Sequence, residues 1–332
     1  MRPMQRRRFI GGLIGATASP YLNAFEAQAQ RRTVPLIGLL TTAPLEISAA
    51  RVRAFRDGLS EIGQVEGRDL MIEYRSAEDQ YNRLPALVAE LIGHGATVIV
   101  ALDGPSARAA KTVTTTIPII FQMAGDPVAA GLVNSLARPG GSLTGVTTLG
   151  IALGPKRLEL LHELIPTATT IGLLINPTNP NADVIAKEMH GAARQLGLVL
   201  QAMPARTDSE VDAVFAGTGE MGIGGLVIVT DVFFTNRLTR LGALSLQHAV
   251  PAVFQYRDFP AAGGLMAYGG NFTDSHRRVG VYTGRILKGE KPANIPVQQV
   301  TRIELIVNLK AAKALRLTVS ASLIGRADEV IE

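Results

Sequence analysis

The chain has 332 residues, 47% of them hydrophobic and only 18% charged, with no cysteine and no tryptophan. That balance excludes a disordered chain, which lacks apolar residues to bury, and the length predicts two lobes rather than one core. The formal charge of +5 is less basic than it looks: Arg2, Arg6, Arg7, Arg8 and Glu26 supply +3 of it before Ala29, leaving about +2 for the rest. No dense basic face is expected, and so no nucleic-acid partner.

The first residues carry a specific local signal. Gln5-Arg6-Arg7-Arg8-Phe9-Ile10 sets an arginine pair before apolar residues, Phe9 to Ala18 forms a short apolar core, and Ala27-Gln28-Ala29 supplies a small-x-small cleavage pattern. Residues 1–29 therefore read as an export signal of twin-arginine type, cut after Ala29. The apolar run falls short of the roughly 20 residues that span a bilayer, and Gly11, Gly12 and Gly15 interrupt it. With no cysteine to form a disulfide or carry a lipid, a soluble periplasmic protein is expected.

After the signal, apolar runs of strand length alternate with helical stripes. Val34 to Leu40 is a continuous apolar run ending at Thr41-Thr42, the pattern of a strand buried on both faces. Val52, Phe55, Leu59 and Ile62 then line a helix closed by Gly63. Strands follow at 69–74, 96–102 and 116–121, separated by a helix with Leu84, Leu87, Val88 and Leu91 on one face and by a turn at Asp103-Gly104-Pro105-Ser106 that opens another helix. Phe121 to Thr147 leaves its strand through Gly125-Asp126-Pro127, runs through a short helical segment, and reaches a break at Pro139-Gly140-Gly141 that reads as a hinge or crossover.

The second half repeats the plan. Strands at 170–175, 198–203, 226–229 and 251–254 alternate with helices, and the first of them ends in Asn176-Pro177-Thr178-Asn179-Pro180-Asn181. Such alternation with short links implies parallel sheets covered by helices, hence an α/β protein of two doubly wound, Rossmann-like lobes. Strands at 264–268 and 302–307 flank a helix at 274–287, which suggests that the chain crosses back and returns. Three crossovers and discontinuous lobes follow: lobe 1 from 33–145 plus 264–298, lobe 2 from 148–261 plus 300–332.

Catalytic and cofactor signatures are missing. The first strand ends in Thr41-Thr42-Ala43-Pro44 rather than a glycine-rich phosphate loop, no serine sits in a G-x-S-x-G elbow, and the five histidines lack metal-site spacing. Neither a cofactor nor a metal nor an enzymatic activity is expected. What recurs is a small polar or acidic residue at a strand end: Thr41 and Thr42, Asp103 and Ser106, Asp126, Asn176, and Thr230 with Asp231. In doubly wound lobes these ends share one edge, so two facing lobes aim them into a common cleft. There a carboxylate holds an ammonium group and helix N-termini hold a carboxylate. Asp and Ser at helix starts read equally well as N-caps. Tyr256 and Tyr268, at or near later strand ends, are candidates for stacking on a ligand.

These features resemble the periplasmic substrate-binding proteins of ABC transporters, in the family that includes tryptophan and other aromatic amino-acid binders. The resemblance is carried by FRDGLSEIGQVEGRDLMIEYR (55–75), YNRLPALVAELI (81–92), TTTIPIIF (114–121), GDPVAAGLVNSLARPGGSLTGVT (125–147), KRLELLHELIP (156–166), INPTNPN (175–181), IVNLKAAKALRL (306–317) and ASLIGRADEVIE (321–332). It implies a type I binding-protein fold that closes on its ligand, and a cleft drawing on Thr41, Thr42, Asp103-Gly104, Gly125-Asp126, Asn176, Asp231 and Tyr268. It also implies a monomer that captures a small polar or zwitterionic solute and delivers it to an ABC permease in the inner membrane. The chain departs from the family pattern at Leu102-Asp103-Gly104-Pro105, Val232, Gly270 and His276. Alternative readings are a ligand sensor for a membrane receptor and a periplasmic α/β enzyme. A repressor of similar fold requires a helix-turn-helix, where this chain has its export signal.

Overall fold

In the computed structural model, which describes residues 34–332, the continuous apolar runs become strands buried on both faces, as parallel sheets require. The expected export signal lies outside the described residues. The first lobe opens with β1 (Leu36–Thr41), α1 (Ala49–Glu61), β2 (Met71–Ser76) and α2 (Leu84–Gly93). It continues with β3 (Val98–Ala101), α3 (Gly104–Val113), β4 (Ile119–Met123) and β5 (Leu143–Thr147). The chain then crosses into the second lobe, with α4 (Gly154–Leu164), β6 (Thr170–Ile175), α5 (Ala182–Gln195), β7 (Val199–Pro204) and α6 (Asp208–Gly217). There follow β8 (Gly225–Ile228), α7 (Val232–Thr235), α8 (Leu238–Gln247), β9 (Ala252–Phe254), α9 (Asp258–Ala261) and β10 (Met266–Gly270). A second crossing returns α10 (Phe272–Leu287) and β11 (Gln298–Gln299) to the first lobe. A third takes β12 (Ile303–Asn308), α11 (Leu309–Ala314), α12 (Ala321–Arg326) and β13 (Glu329–Ile331) to the second.

The first sheet runs β2-β1-β3-β4-β5-β11, parallel throughout. The second runs β7-β6-β8-β9-β10-β12-β13 and repeats the same winding, with one antiparallel pair, β10 against β12. The α/β architecture of two doubly wound lobes joined by three crossings is therefore the expected one. Each lobe has its own core: Phe215, Phe234, Phe254 and Phe259 centre the second. In the first, Leu91, Ile99 and Phe121 fill one face of the sheet, and Phe55, Ile37 and Val279 fill the other. The returning helix α10 is bound tightly to α1 by two glycines that let the backbones meet. A Cβ on Gly280 would stand 2.0 Å from the Phe55 carbonyl oxygen, and one on Gly58 1.8 Å from that of Arg277.

Two expectations about the crossings are corrected. Met266–Gly270 does not open the return to the first lobe; it pairs with β9 and β12 in the second sheet, and the crossing falls after Gly270. A strand buried among apolar neighbours reads alike in either sheet, so the sequence carries no mark of its partner. Nor is Pro139-Gly140-Gly141 a hinge: Gly140 and Gly141, with φ of 70° and 63°, turn the chain within the first lobe toward β5 beside β4. The stretch between β4 and β5 consists of turns and bends, without the short helix expected there.

Arg157, on α4 and 1% exposed, ties the first crossing to the second sheet. Its Nη2 donates to the Gly150 carbonyl at 2.7 Å, Nε to the Tyr268 carbonyl at 2.8 Å, and Nη1 to the Thr230 hydroxyl at 3.1 Å.

Candidate functional site

In each sheet the winding reverses beside the first strand of the lobe, between β1 and β3 and between β6 and β8, which is where open α/β sheets leave a crevice at the carboxyl ends. An aspartate stands at both switch points. Asp103 follows β3 and caps α3, its Oδ1 accepting the Ser106 N–H at 2.9 Å. Its Oδ2 accepts the Thr42 N–H at 2.7 Å, the Thr42 hydroxyl at 2.8 Å and the Thr41 hydroxyl at 3.3 Å. Asp231 follows β8 and caps the short α7, its Oδ1 accepting the Phe233 N–H at 2.7 Å and the Asn176 amide at 3.4 Å, while Oδ2 accepts from Asn179. Burial pushes the Asp231 carboxyl up from the usual carboxylate range, opposed by the hydrogen bonds from Asn179, Asn176 and the Phe233 N–H.

The two switch points open onto one cavity between the lobes. The first lobe supplies Arg51 from α1, Tyr81, Asp103 with Gly104, Arg108 from α3, and Gln122 and Gly125 at the end of β4. The second supplies Asn179, Asn181, Thr230, Asp231, Gln255 and Tyr256, and Phe272 enters from the second crossing. Tyr256 and Phe272 pack ring to ring at 4.4 Å, and the Arg51 guanidinium lies 4.9 Å from the Phe272 ring centre. Burial raises the Tyr256 hydroxyl pKa, against the charges of Arg51 and Arg157. It raises that of Tyr81 also, with Asp231, Asp103 and Asp79 adding to the effect.

Direct hydrogen bonds cross the cleft. Arg108 Nη2 donates to Asn181 Oδ1 at 3.1 Å and Arg51 Nη2 to Asn236 Oδ1 at 2.8 Å. Asp79 of the first lobe accepts the Asn236 amide at 2.9 Å and Arg237 Nη1 at 3.0 Å. The lobes are thus in contact on the rim as well as around the cavity.

Of the residues expected at the site, Asp103, Gly104, Gly125, Asp231 and Tyr256 line the cavity. Thr41, Thr42 and Asn176 stand behind it as donors to the two aspartates. Ser106 is buried in the first turn of α3, where its backbone N–H completes the Asp103 cap. Asp126 is exposed and caps its own turn, Oδ1 accepting the Val128 N–H at 2.8 Å and the Ala129 N–H at 3.3 Å. Tyr268 lies in the middle of β10, packed against the second-lobe core and outside the cavity. Sequence reasoning passed over Arg51, Tyr81, Arg108, Gln122, Asn179, Gln255 and Phe272. Gln122 and Gln255 did carry a signal: each is an amide inside an otherwise apolar strand run, IIFQM and AVFQY.

A cleft enclosed by two doubly wound lobes suits capture of a small molecule. A model of the family described as ABC transporter substrate binding protein matches residues 46–331. The chain belongs to that family. This substrate-binding protein is 27% identical over 265 residues to the tyrosine-binding protein of Clostridioides difficile, covering 79% of this chain and 75% of the relative. Its fold is that of a conserved domain protein from Vibrio cholerae, with a TM-score of 0.81 at 23% identity, covering 90% of this chain and 99% of the other. It is also that of an ABC domain in complex with L-Trp from Streptococcus pneumonia, with a TM-score of 0.78 at 22% identity and the same coverage. The architecture is that of the type I binding proteins, and the protein acts as the solute receptor of an ABC transporter. Among the described residues no helix is long and apolar enough to cross a membrane.

Proposed function

We propose that this receptor captures a small zwitterionic solute of the amino-acid class in the cavity between its lobes. The observation that carries the reading is the lining itself: a buried carboxylate, Asp231, from one lobe, guanidinium groups, Arg51 and Arg108, from the other, and the aromatic side chains Tyr81, Tyr256 and Phe272. An ammonium group beside Asp231 offsets the desolvation of its carboxylate, and the aromatic rings offer apolar area with little rotamer entropy to lose. The similarity to a tyrosine-binding relative and to a structure holding L-Trp supports an aromatic solute. Asp103 and Asp126 act as caps rather than ligand anchors in this reading, and Asp231 takes the ammonium.

The route follows from the same reading. Residues 1–29 serve as a twin-arginine export signal, and the monomer works in the periplasm, handing its solute to an inner-membrane permease without altering it. Isothermal titration of the mature protein against the common L-amino acids tests the solute class. Asp231→Asn is expected to lose about 1.5–3 kcal/mol of binding, the worth of a hydrogen bond to a charged group. If none of the amino acids binds, the class is wrong.

A further inference from the structure

The unmet hydrogen-bonding demand of the cavity is on the first lobe. Arg108 Nε is shielded from solvent and has no partner, and the Gln122 side chain, 3% exposed, makes no hydrogen bond to the protein through its buried Nε2. Both residues line the cavity. The only polar partner of the Arg108 guanidinium among the described residues is the neutral amide of Asn181. Asp103, the aspartate nearest in sequence, is not available to it, because four donors of its own lobe already occupy the carboxylate. A half-buried cation whose Nε–H is shut off from water and meets no acceptor is costly until an anion reaches it. Burial indeed lowers the Arg108 pKa from its ordinary value, while leaving the guanidinium the one form it adopts at neutral pH.

We propose that Arg108 and Gln122 form the carboxylate subsite of this receptor, with the Arg108 Nε–H and the Gln122 amide N–H donating to the two oxygens of the solute's carboxylate. The inference rests on the amino-acid reading above and fixes the solute's orientation: carboxylate on the first lobe, ammonium at Asp231 on the second. Arg108 Nη2 already bonds Asn181 across the cleft, and Nε lies on the same edge of the planar guanidinium. One group then holds both the solute and the opposite lobe, so occupancy favours the closed arrangement through a differential contact, as a population shift requires. Arg108 is the specificity residue, because the charge-assisted bond from its Nε–H is stronger to a carboxylate than to a neutral amide.

The test is calorimetric, on the mature protein, with the L-amino acid that the wild type binds most tightly and the carboxamide of that amino acid. The wild type is expected to bind the carboxamide roughly ten- to a hundredfold more weakly than the acid. Arg108→Gln should lose a similar factor for the acid and little for the carboxamide, Gln122→Leu should show the same pattern with a smaller loss, and Arg108→Lys should recover part of the acid affinity. Equal losses for acid and carboxamide, or no loss in either variant, would overturn the subsite while leaving the solute class standing. A wild type that binds no amino acid at all overturns both.

Discussion

Thr42 holds Asp103 twice, its backbone N–H at 2.7 Å and its hydroxyl at 2.8 Å meeting on the same carboxylate oxygen. The second lobe repeats the device with different residues, Asn176 and Asn179 on Asp231. In both lobes the residues that end the first strand satisfy the aspartate that starts the helix after the third. The difference lies in the donors: two threonine hydroxyls and two backbone N–H groups meet Asp103, whereas the side-chain donors on Asp231 are the amides of Asn176 and Asn179. Thr42→Val keeps the side-chain shape and removes one donor from a buried carboxylate. It should destabilise the protein by about 1–3 kcal/mol, seen as a lower urea midpoint with an unchanged slope. A midpoint equal to the wild type's would mean that the hydroxyl contributes nothing to the cap.

Asp79 joins the lobes at the rim, and its backbone has φ of 60°, a left-handed conformation that asparagine tolerates better than most residues. Asp79→Asn therefore keeps the turn and removes the charge that pairs with Arg237. Both side chains are about one-fifth exposed, so the pair is worth more than a surface ion pair but is still screened; about 1 kcal/mol is expected. Ligand affinity should fall roughly fivefold, and small-angle scattering of the unliganded variant should show a larger radius of gyration. High salt should produce the same shift in the wild type. No change in scattering or affinity removes this contact from the closure equilibrium.

The double winding of both lobes was legible because apolar runs of strand length and helical stripes alternate with little interruption. The polar strand ends were legible for the same reason: Thr41, Asp103 and Asp231 stand where apolar runs stop. Whether such a residue faces a ligand or supports the one that does depends on which strands are neighbours, and that order is not written in any single run. Thr42 and Asp103 are 61 positions apart and meet only because β1 and β3 pair. Arg51 and Arg108 lie on helices where a charged residue ordinarily marks a solvated face, so nothing local separates them from the other arginines. Tyr268 misled through the same gap: its strand belongs to the second sheet, and the tyrosine sits in mid-strand, out of the cavity.

Arg157 is a fully buried cation whose three acceptors are all neutral, the carbonyls of Gly150 and Tyr268 and the Thr230 hydroxyl. Burial pulls its pKa down to about 10, with Tyr256 and Tyr268 opposing, so it remains charged at neutral pH. Arg157→Met fills much of the volume but removes all three bonds, and should cost at least about 3 kcal/mol of stability. Because Thr230 also donates to Gln255 Oε1 at 2.9 Å within the cavity lining, ligand affinity should fall as well. Arg157→Lys should recover only part of either loss, since an ammonium cannot reach three acceptors in the fork geometry. A methionine variant as stable as the wild type would show that the crossing needs no such tie.

His276, buried on α10, offers a pH-dependent readout of the packing behind the cleft. Its Nδ1 donates to the Phe272 carbonyl at 2.9 Å, and its ring meets that of Phe272 edge-on. Burial first, then the charge of Arg51, pulls the imidazole pKa down to about 4, with the Phe272 carbonyl opposing. In the unfolded chain the same group titrates near 6.5. Between these values the unfolded state binds a proton that the native state does not, so stability falls as the pH drops below about 6.5 and this contribution levels off below about 4. The loss over that window amounts to roughly 2–3 kcal/mol. His276→Asn keeps an N–H for the Phe272 carbonyl and has nothing to titrate. It should melt below the wild type at pH 7, through lost packing, yet lose fewer degrees than the wild type between pH 7 and pH 4.5. The acidic groups are common to both proteins and cancel in that comparison, so equal losses in melting temperature would mean that His276 is not the group that titrates.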